Sequence, residues 1–287
     1  MGDFKINEKT VFTQSGGAEP AMGSTVTGIP AEGVTGVLPV AVTGGSGLTV
    51  LQQARNENLV VKRNTSATST TVDIDADYLT LFNSSNIGYI ASSINLSPII
   101  TGSGANGLDT GTEASSTWYH IWVIYNGTTV AGLLSTSATS PTMPSGYTYK
   151  KYVGAVYNNS SSNFVNFHQV GNVVSNDGAY NFLAGGTATG WTNITTVPMP
   201  PTTPIEARIW VHITYPGGGT DMQVSFASNT SQFHKVSVRL AAATSSGDLD
   251  GYVSIPVLDS QTIAYVNSSS SLNTWLYLAG WEYSGIV

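Results

Sequence analysis

The sequence predicts an all-β protein in which an extended N-terminal segment precedes β-sandwich domains. Runs of β-branched and aromatic residues alternate with period two, clusters of Gly, Asn, Ser and Pro punctuate them, and no window sustains the i, i+3, i+4, i+7 apolar spacing of a helix. The chain has 287 residues, of which 9% are charged, against about 25% in an average soluble domain. The surface must therefore be built from neutral Ser, Thr, Asn and Gly.

The first fifty residues hold small residues, Gly, Pro and Thr, with Val11-Phe12 as the main apolar pair after the opening Phe4. Val26-Thr27-Gly28, Val34-Thr35-Gly36 and Val42-Thr43-Gly44 recur at a fixed spacing, with Pro30 and Pro39 near the turns. Short extended segments of this kind bury too little surface to stand alone. Residues 1–50 read either as a shaft or anchor in an oligomer or as a flexible Gly/Thr linker. A turn or two of helix fits only near Leu51 to Arg55.

From about Leu59 the alternation takes over. Strands are expected at Thr71 to Phe82, Thr117 to Tyr125, Tyr147 to Tyr157, Ile205 to Tyr215, Lys235 to Ala241, Gly251 to Leu258 and Thr274 to Tyr283. Turn clusters such as Asn158 to Ser162, Pro216 to Gly219 and Ser245 to Asp248 separate them. Pro198, Pro200, Pro201 and Pro204 crowd the segment 197–204, which cannot join a ladder. A boundary is expected there, dividing a middle β-rich domain (51–196) from a C-terminal sandwich of jelly-roll size (205–287).

Composition excludes several function classes. The formal charge of −7 comes from 10 basic and 17 acidic residues. With no basic cluster beyond Lys62-Arg63 and Lys150-Lys151, no nucleic-acid partner is expected. The lack of cysteine removes disulfides, thiolate metal sites and a Cys nucleophile. No apolar run reaches the length of a membrane-spanning helix, and the opening residues lack a signal-peptide core, so synthesis in a cytoplasm without membrane insertion is expected.

Catalytic signatures are equally sparse. The four histidines, 120, 168, 212 and 234, share no metal-binding spacing. Alternation places Trp118, His120 and Trp122 on one face of their strand and Tyr119, Ile121 and Val123 on the other, so His120 reads as a packed or hydrogen-bonded strand residue. His212, which shares a face with Trp210 and Thr214, reads the same way. Asp73, Asp75 and Asp77 would share one strand face, exposed or around a cation; the EF-hand pattern fails because Tyr78 and Ser84 stand where Gly and Glu are required. Asp248-Leu249-Asp250-Gly251 reads as a turn. No nucleophile elbow, phosphate loop or dinucleotide fingerprint is present, so no catalytic residue, metal site or cofactor is expected.

The aromatics say more. Alternation in Thr274 to Tyr283 places Trp275, Tyr277, Trp281 and Tyr283 on one face and Leu276, Leu278 and Gly280 on the other. Such a strand is covered on both faces. The aromatic face reads as core or subunit interface, with a sugar-stacking platform as the other reading. A glycan site is expected in the loops 216–220, 228–232, 245–250 or 267–273 rather than on this face.

The stretch from Ala105-Asn106-Gly107-Leu108-Asp109 through Trp118-Tyr119-His120-Ile121-Trp122, followed by Gly132-Leu133-Leu134-Ser135-Thr136-Ser137 and Pro144-Ser145-Gly146-Tyr147-Thr148, resembles a recurring module of tailed-bacteriophage tail fibres and related virion appendage proteins. The opening Phe4-Lys5-Ile6-Asn7 and Phe12-Thr13-Gln14-Ser15-Gly16 resembles their virion-anchoring start. The resemblance covers about half the chain and carries no catalytic motif. It implies a non-enzymatic virion protein forming an intertwined homotrimer, joined to other virion proteins through residues 1–50. Adsorption to host cell-surface polysaccharide through residues 205–287 follows from the same likeness. A capsid decoration, collar or head-fibre trimer is the alternative, and a glycan depolymerase is disfavoured by the scarcity of acids.

Overall fold

The computed structural model describes residues 4–6, 9–12, 56–65, 69–195, 198–201, 205–217, 222–240, 246–258 and 261–284. The Val-Thr-Gly repeats and the expected helix near Leu51 to Arg55 lie outside them. The chain divides into two units, Met1–Leu51 and Gln52–Val287. In the first, β1 (Phe4–Ile6) and β2 (Lys9–Phe12) form an antiparallel hairpin, with Phe4 opposite Phe12 and Ile6 opposite Lys9.

The described part of the second unit is all-β and antiparallel, without a helix. Its strands are β3 (Asn56–Glu57), β4 (Val60–Arg63), β5 (Val72–Phe82), β6 (Gly88–Leu96), β7 (Thr117–Tyr125), β8 (Val130–Ser135), β9 (Tyr149–Asn158) and β10 (Phe167–Val170). Then follow β11 (Val173–Gly186), β12 (Thr192–Ile194), β13 (Ile205–Tyr215), β14 (Met222–Ala227), β15 (Val236–Leu240), β16 (Gly247–Val257), β17 (Ile263–Asn267) and β18 (Asn273–Tyr283). The larger sheet runs β16-β13-β18-β11-β10-β4-β5-β9-β7-β8, with β3 and β6 also paired to β5. A four-stranded sheet runs β12-β17-β14-β15.

All seven expected strand runs fall on observed strands; β13 alternates in burial along its length, whereas β7 is buried on both faces from Tyr119 to Ile124. In β13 the pattern is complete: Ile205, Ala207, Ile209, Val211 and Ile213 are buried, while the residues between them are partly exposed. Those inward side chains join Val224 and Phe226 of β14, Ile255 of β16, Ile263 and Tyr265 of β17, and Leu276 and Leu278 of β18 in one core. Each buried aliphatic or aromatic group there stabilises the fold by about 1.5–3 kcal/mol. Trp122, Ile124, Ala131 and Leu133 form a separate small cluster on the other face of β7 and β8.

Two ladders span the Pro-rich segment. β11 pairs with β18, and β12 pairs with β17, so the C-terminal sandwich takes strands from both sides of 197–204. Met199 within that segment is fully buried, and its carbonyl accepts a 2.6 Å hydrogen bond from Gln261 Nε2.

The expected turn at Asp248-Leu249-Asp250-Gly251 is corrected: it lies inside β16, in continuous register with β13 from Tyr215–Gly247 to Ile205–Val257. Both aspartates point out to solvent on alternate positions, and His212 takes up Asp250, which a strand edge tolerates as well as a turn does.

Candidate functional site

The outer faces of three neighbouring strands of the sandwich build an aromatic surface. Alternation in β13 leaves Arg208, Trp210, His212 and Thr214 outside, and the same rule in β16 leaves Asp248, Asp250, Tyr252 and Ser254 outside. In the first part of β18, Trp275 and Tyr277 face the same way. Cross-strand register then makes two rows. Asp250, His212 and Trp275 stand opposite one another in one row; Tyr252, Trp210, Tyr277 and Asn181 of β11 form the next.

The rings touch. Trp210 stacks on Tyr277 with centroids 4.7 Å apart and planes 28° from parallel. His212 lies 5.4 Å from Trp275, tilted by 55°. His212 Nδ1 and Asp250 Oδ1 are 2.9 Å apart, so the carboxylate fixes the imidazole from the side away from Trp275. Tyr252 extends the row into solvent at 75% exposure. Two residues along β13 from Trp210, Arg208 Nη2 donates to Glu282 Oε2 at 3.0 Å. A partly exposed aromatic strip flanked by hydrogen-bonding side chains offers ring faces to C–H groups and polar atoms to hydroxyls.

The four aromatics of β18 do not share a face, contrary to strict alternation. Leu278 pairs with Ile209 and Gly280 with Arg208, leaving Ala279 without a partner on β13. This one-residue bulge reverses the facing of everything after it. Trp275 and Tyr277 stay outside; Trp281 and Tyr283 turn inward, at 2% and 3% exposure. Trp281 meets Trp118 edge-on at 5.8 Å, and Tyr283 meets Tyr152 edge-on at 6.0 Å, so this pair ties the sandwich to β7 and β9. Burial raises the Tyr283 hydroxyl pKa well above the usual phenol value.

Trp210 and Tyr252 belong to the surface, and the alternation of their own strands could have placed them there. The loops expected to hold sugar are tied into the fold: in 228–232 Asn229 Oδ1 accepts from Ser231 N at 3.0 Å, and in 267–273 Ser269 Oγ accepts from Ser271 N at 3.2 Å while Ser268 Oγ accepts from Gln223 N of β14 at 2.9 Å. The 245–250 loop is largely β16, and 216–220 is described only to Gly217.

The remaining candidates are engaged in structure. His120 is buried at 2% exposure, with Nδ1 3.2 Å from the Tyr152 hydroxyl, and burial lowers its pKa to about 4. Asp73, Asp75 and Asp77 share the outer face of β5. Asp73 Oδ1 accepts from Asn64 Nδ2 at 2.8 Å and from Ser97 Oγ at 2.9 Å; Asp77 Oδ2 accepts from Asn58 Nδ2 at 2.6 Å. Among the described residues no three His, Asp or Glu groups converge as a metal site. The His212–Asp250 pair has the form of a base and its orienting acid, yet among the described residues no Ser or Thr hydroxyl is bonded to the imidazole.

Comparison with protein-family models and with curated proteins finds no match to this chain. The functional reading therefore rests on the chain's own residues.

Proposed function

We propose that the chain is a non-enzymatic, homotrimeric tail fibre of a tailed phage that adsorbs to host-surface glycan through the outer aromatic face of its C-terminal sandwich. The observation that carries this reading is the row Tyr252, Trp210, Tyr277 and Asn181, running across four strands with its aromatic stack partly open to solvent. Residues 1–50 would join it to other virion proteins. The neutral surface, with 9% charged residues, limits salt-dependent sticking and leaves hydroxyl and amide groups for sugars.

The sandwich supports a jelly-roll reading. Counted from β11, its eight strands fall in the orders one-eight-three-six and two-seven-four-five in the two sheets. That arrangement is at home in viral capsid and lectin domains. It also favours the second reading, a capsid decoration or head-fibre trimer without receptor duty. A single saccharide held on a shallow aromatic face binds at roughly millimolar to micromolar strength, and three copies raise the effective affinity by about a hundredfold where geometry lets all engage.

Light scattering on the purified full chain, paired with a competition assay against phage adsorption to cells, tests the proposal. A mass of three chains with blocked adsorption is expected. A monomer contradicts the fibre, and a trimer that binds virions without affecting adsorption favours the decoration reading.

A further inference from the structure

A cleft of about 760 Å³ lies away from the outer aromatic face, lined by Arg63 of β4, Trp118 of β7, Tyr157 of β9, Asn166, Tyr180 of β11 and Gln261, among others. Its volume is that of a small-molecule site. Among the described residues no carboxylate lines it.

Arg63 is the charge in this cleft. Its Nη1 donates a long 3.4 Å hydrogen bond to the Phe164 carbonyl, while Nε is buried and has no partner. A guanidinium stays charged at every relevant pH and carries five donors; with Nε shielded and Nη1 held only by a long bond, the Nη groups are the donors an incoming acceptor can meet. Asp177, which with Arg63 acts electrostatically on Tyr180, is taken up by Asn166 Nδ2 at 2.6 Å and forms no ion pair with Arg63 among the described residues.

The rest of the wall suits a sugar ring. Trp118 tilts against Tyr157 at 5.3 Å and is braced edge-on by Trp281, which fixes its orientation. Asn166 and Gln261 spend their amide nitrogens on Asp177 and on the Met199 carbonyl, which leaves their side-chain oxygens to accept from hydroxyls.

We infer that this cleft is a second saccharide site, specific for a sugar bearing one carboxylate, which Arg63 grips while Trp118 and Tyr157 receive the ring. The inference rests on the glycan-adsorption reading in taking the ligand to be a saccharide. A carboxylate matches the single charge of Arg63; a phosphate, at about −1.5 to −2 charge, exceeds it.

The test is calorimetric titration of the full chain with glucuronate, galacturonate and N-acetylneuraminate oligosaccharides, each alongside its methyl ester. The ester keeps the ring and removes the charge. At least one acid is expected to bind about tenfold or more tighter than its ester, and Arg63→Gln is expected to erase that difference. Equal binding of every acid and ester, no binding of any acid, or an acid preference that survives Arg63→Gln overturns the inference. Because the ester comparison uses the unaltered protein, it stands even where a variant misfolds. Blocked phage adsorption without acid binding removes the cleft site and leaves the adsorption reading intact; loss of both removes both.

Discussion

Trp210 and Tyr277 stack across the β13–β18 ladder with their centroids 4.7 Å apart. They are directly opposite in register, so the contact is a cross-strand pair as well as part of the outer surface. Aromatic pairs of this geometry contribute about 0.5–1.5 kcal/mol beyond area burial. A double-mutant cycle with Trp210→Ala and Tyr277→Ala, read by urea denaturation, is expected to return a coupling energy in that range. Strictly additive losses would mean that the rings do not stack in solution.

Gly280 sits where β11 presses against β18. A Cβ at this position would collide with the backbone carbonyl oxygen of Val174. Backbone cannot step aside as a side-chain tip can, so Gly280→Ala is expected to destabilise the fold by about 1–3 kcal/mol, the usual cost of overpacking. A melting temperature unchanged from the parent chain would show that the β11–β18 ladder is looser than described.

Asn267 links the two sheets of the sandwich. Its Nδ2 donates to the Gly186 carbonyl at 2.9 Å and to the Leu272 carbonyl at 3.0 Å, and its Oδ1 accepts from Thr274 Oγ1 at 2.9 Å. At 1% exposure, no solvent can replace these bonds. Asn267→Ala leaves several buried polar groups unmet and is expected to cost about 2–4 kcal/mol, measured as a lower denaturation midpoint.

His120 makes stability depend on pH. Its folded-state pKa is about 4 because burial penalises the imidazolium, whereas the unfolded value is about 6.5. Between these values the unfolded chain binds more protons, so stability falls as pH drops from about 6.5 to 4, by about 3 kcal/mol in all. His120→Phe cannot titrate, and denaturation curves at pH 7 and pH 4 should lie closer together for it than for the parent. An unchanged gap would assign the acid sensitivity to other groups.

Much of the fold is legible in the sequence where one face of a strand is buried and the other wet. β13 begins and ends where alternation places it, and β7, buried on both faces from Tyr119 to Ile124, is marked instead by its run of aromatic and β-branched residues. β11 is not legible, since Ser175-Asn176-Asp177-Gly178 breaks its apolar alternation, and the strand leaves its ladder with β18 between Ser175 and Tyr180. The β18 aromatics show the same limit. Alternation finds Trp275 and Tyr277 on the outer surface, and the bulge at Ala279 takes Trp281 and Tyr283 inside. The adjoining Gly280 is the one local signal of that bulge. The cleft around Arg63 is assembled from residues far apart in the chain, and no local pattern brings these together.

The most direct test of the adsorption reading is glycan-array binding by the full chain beside a Trp210→Ala/Tyr277→Ala variant shown to be folded by circular dichroism. The account predicts saccharide binding by the parent chain that the double variant loses by about tenfold or more, equivalent to about 1.4 kcal/mol. Equal binding by both proteins would contradict a role for the outer aromatic face.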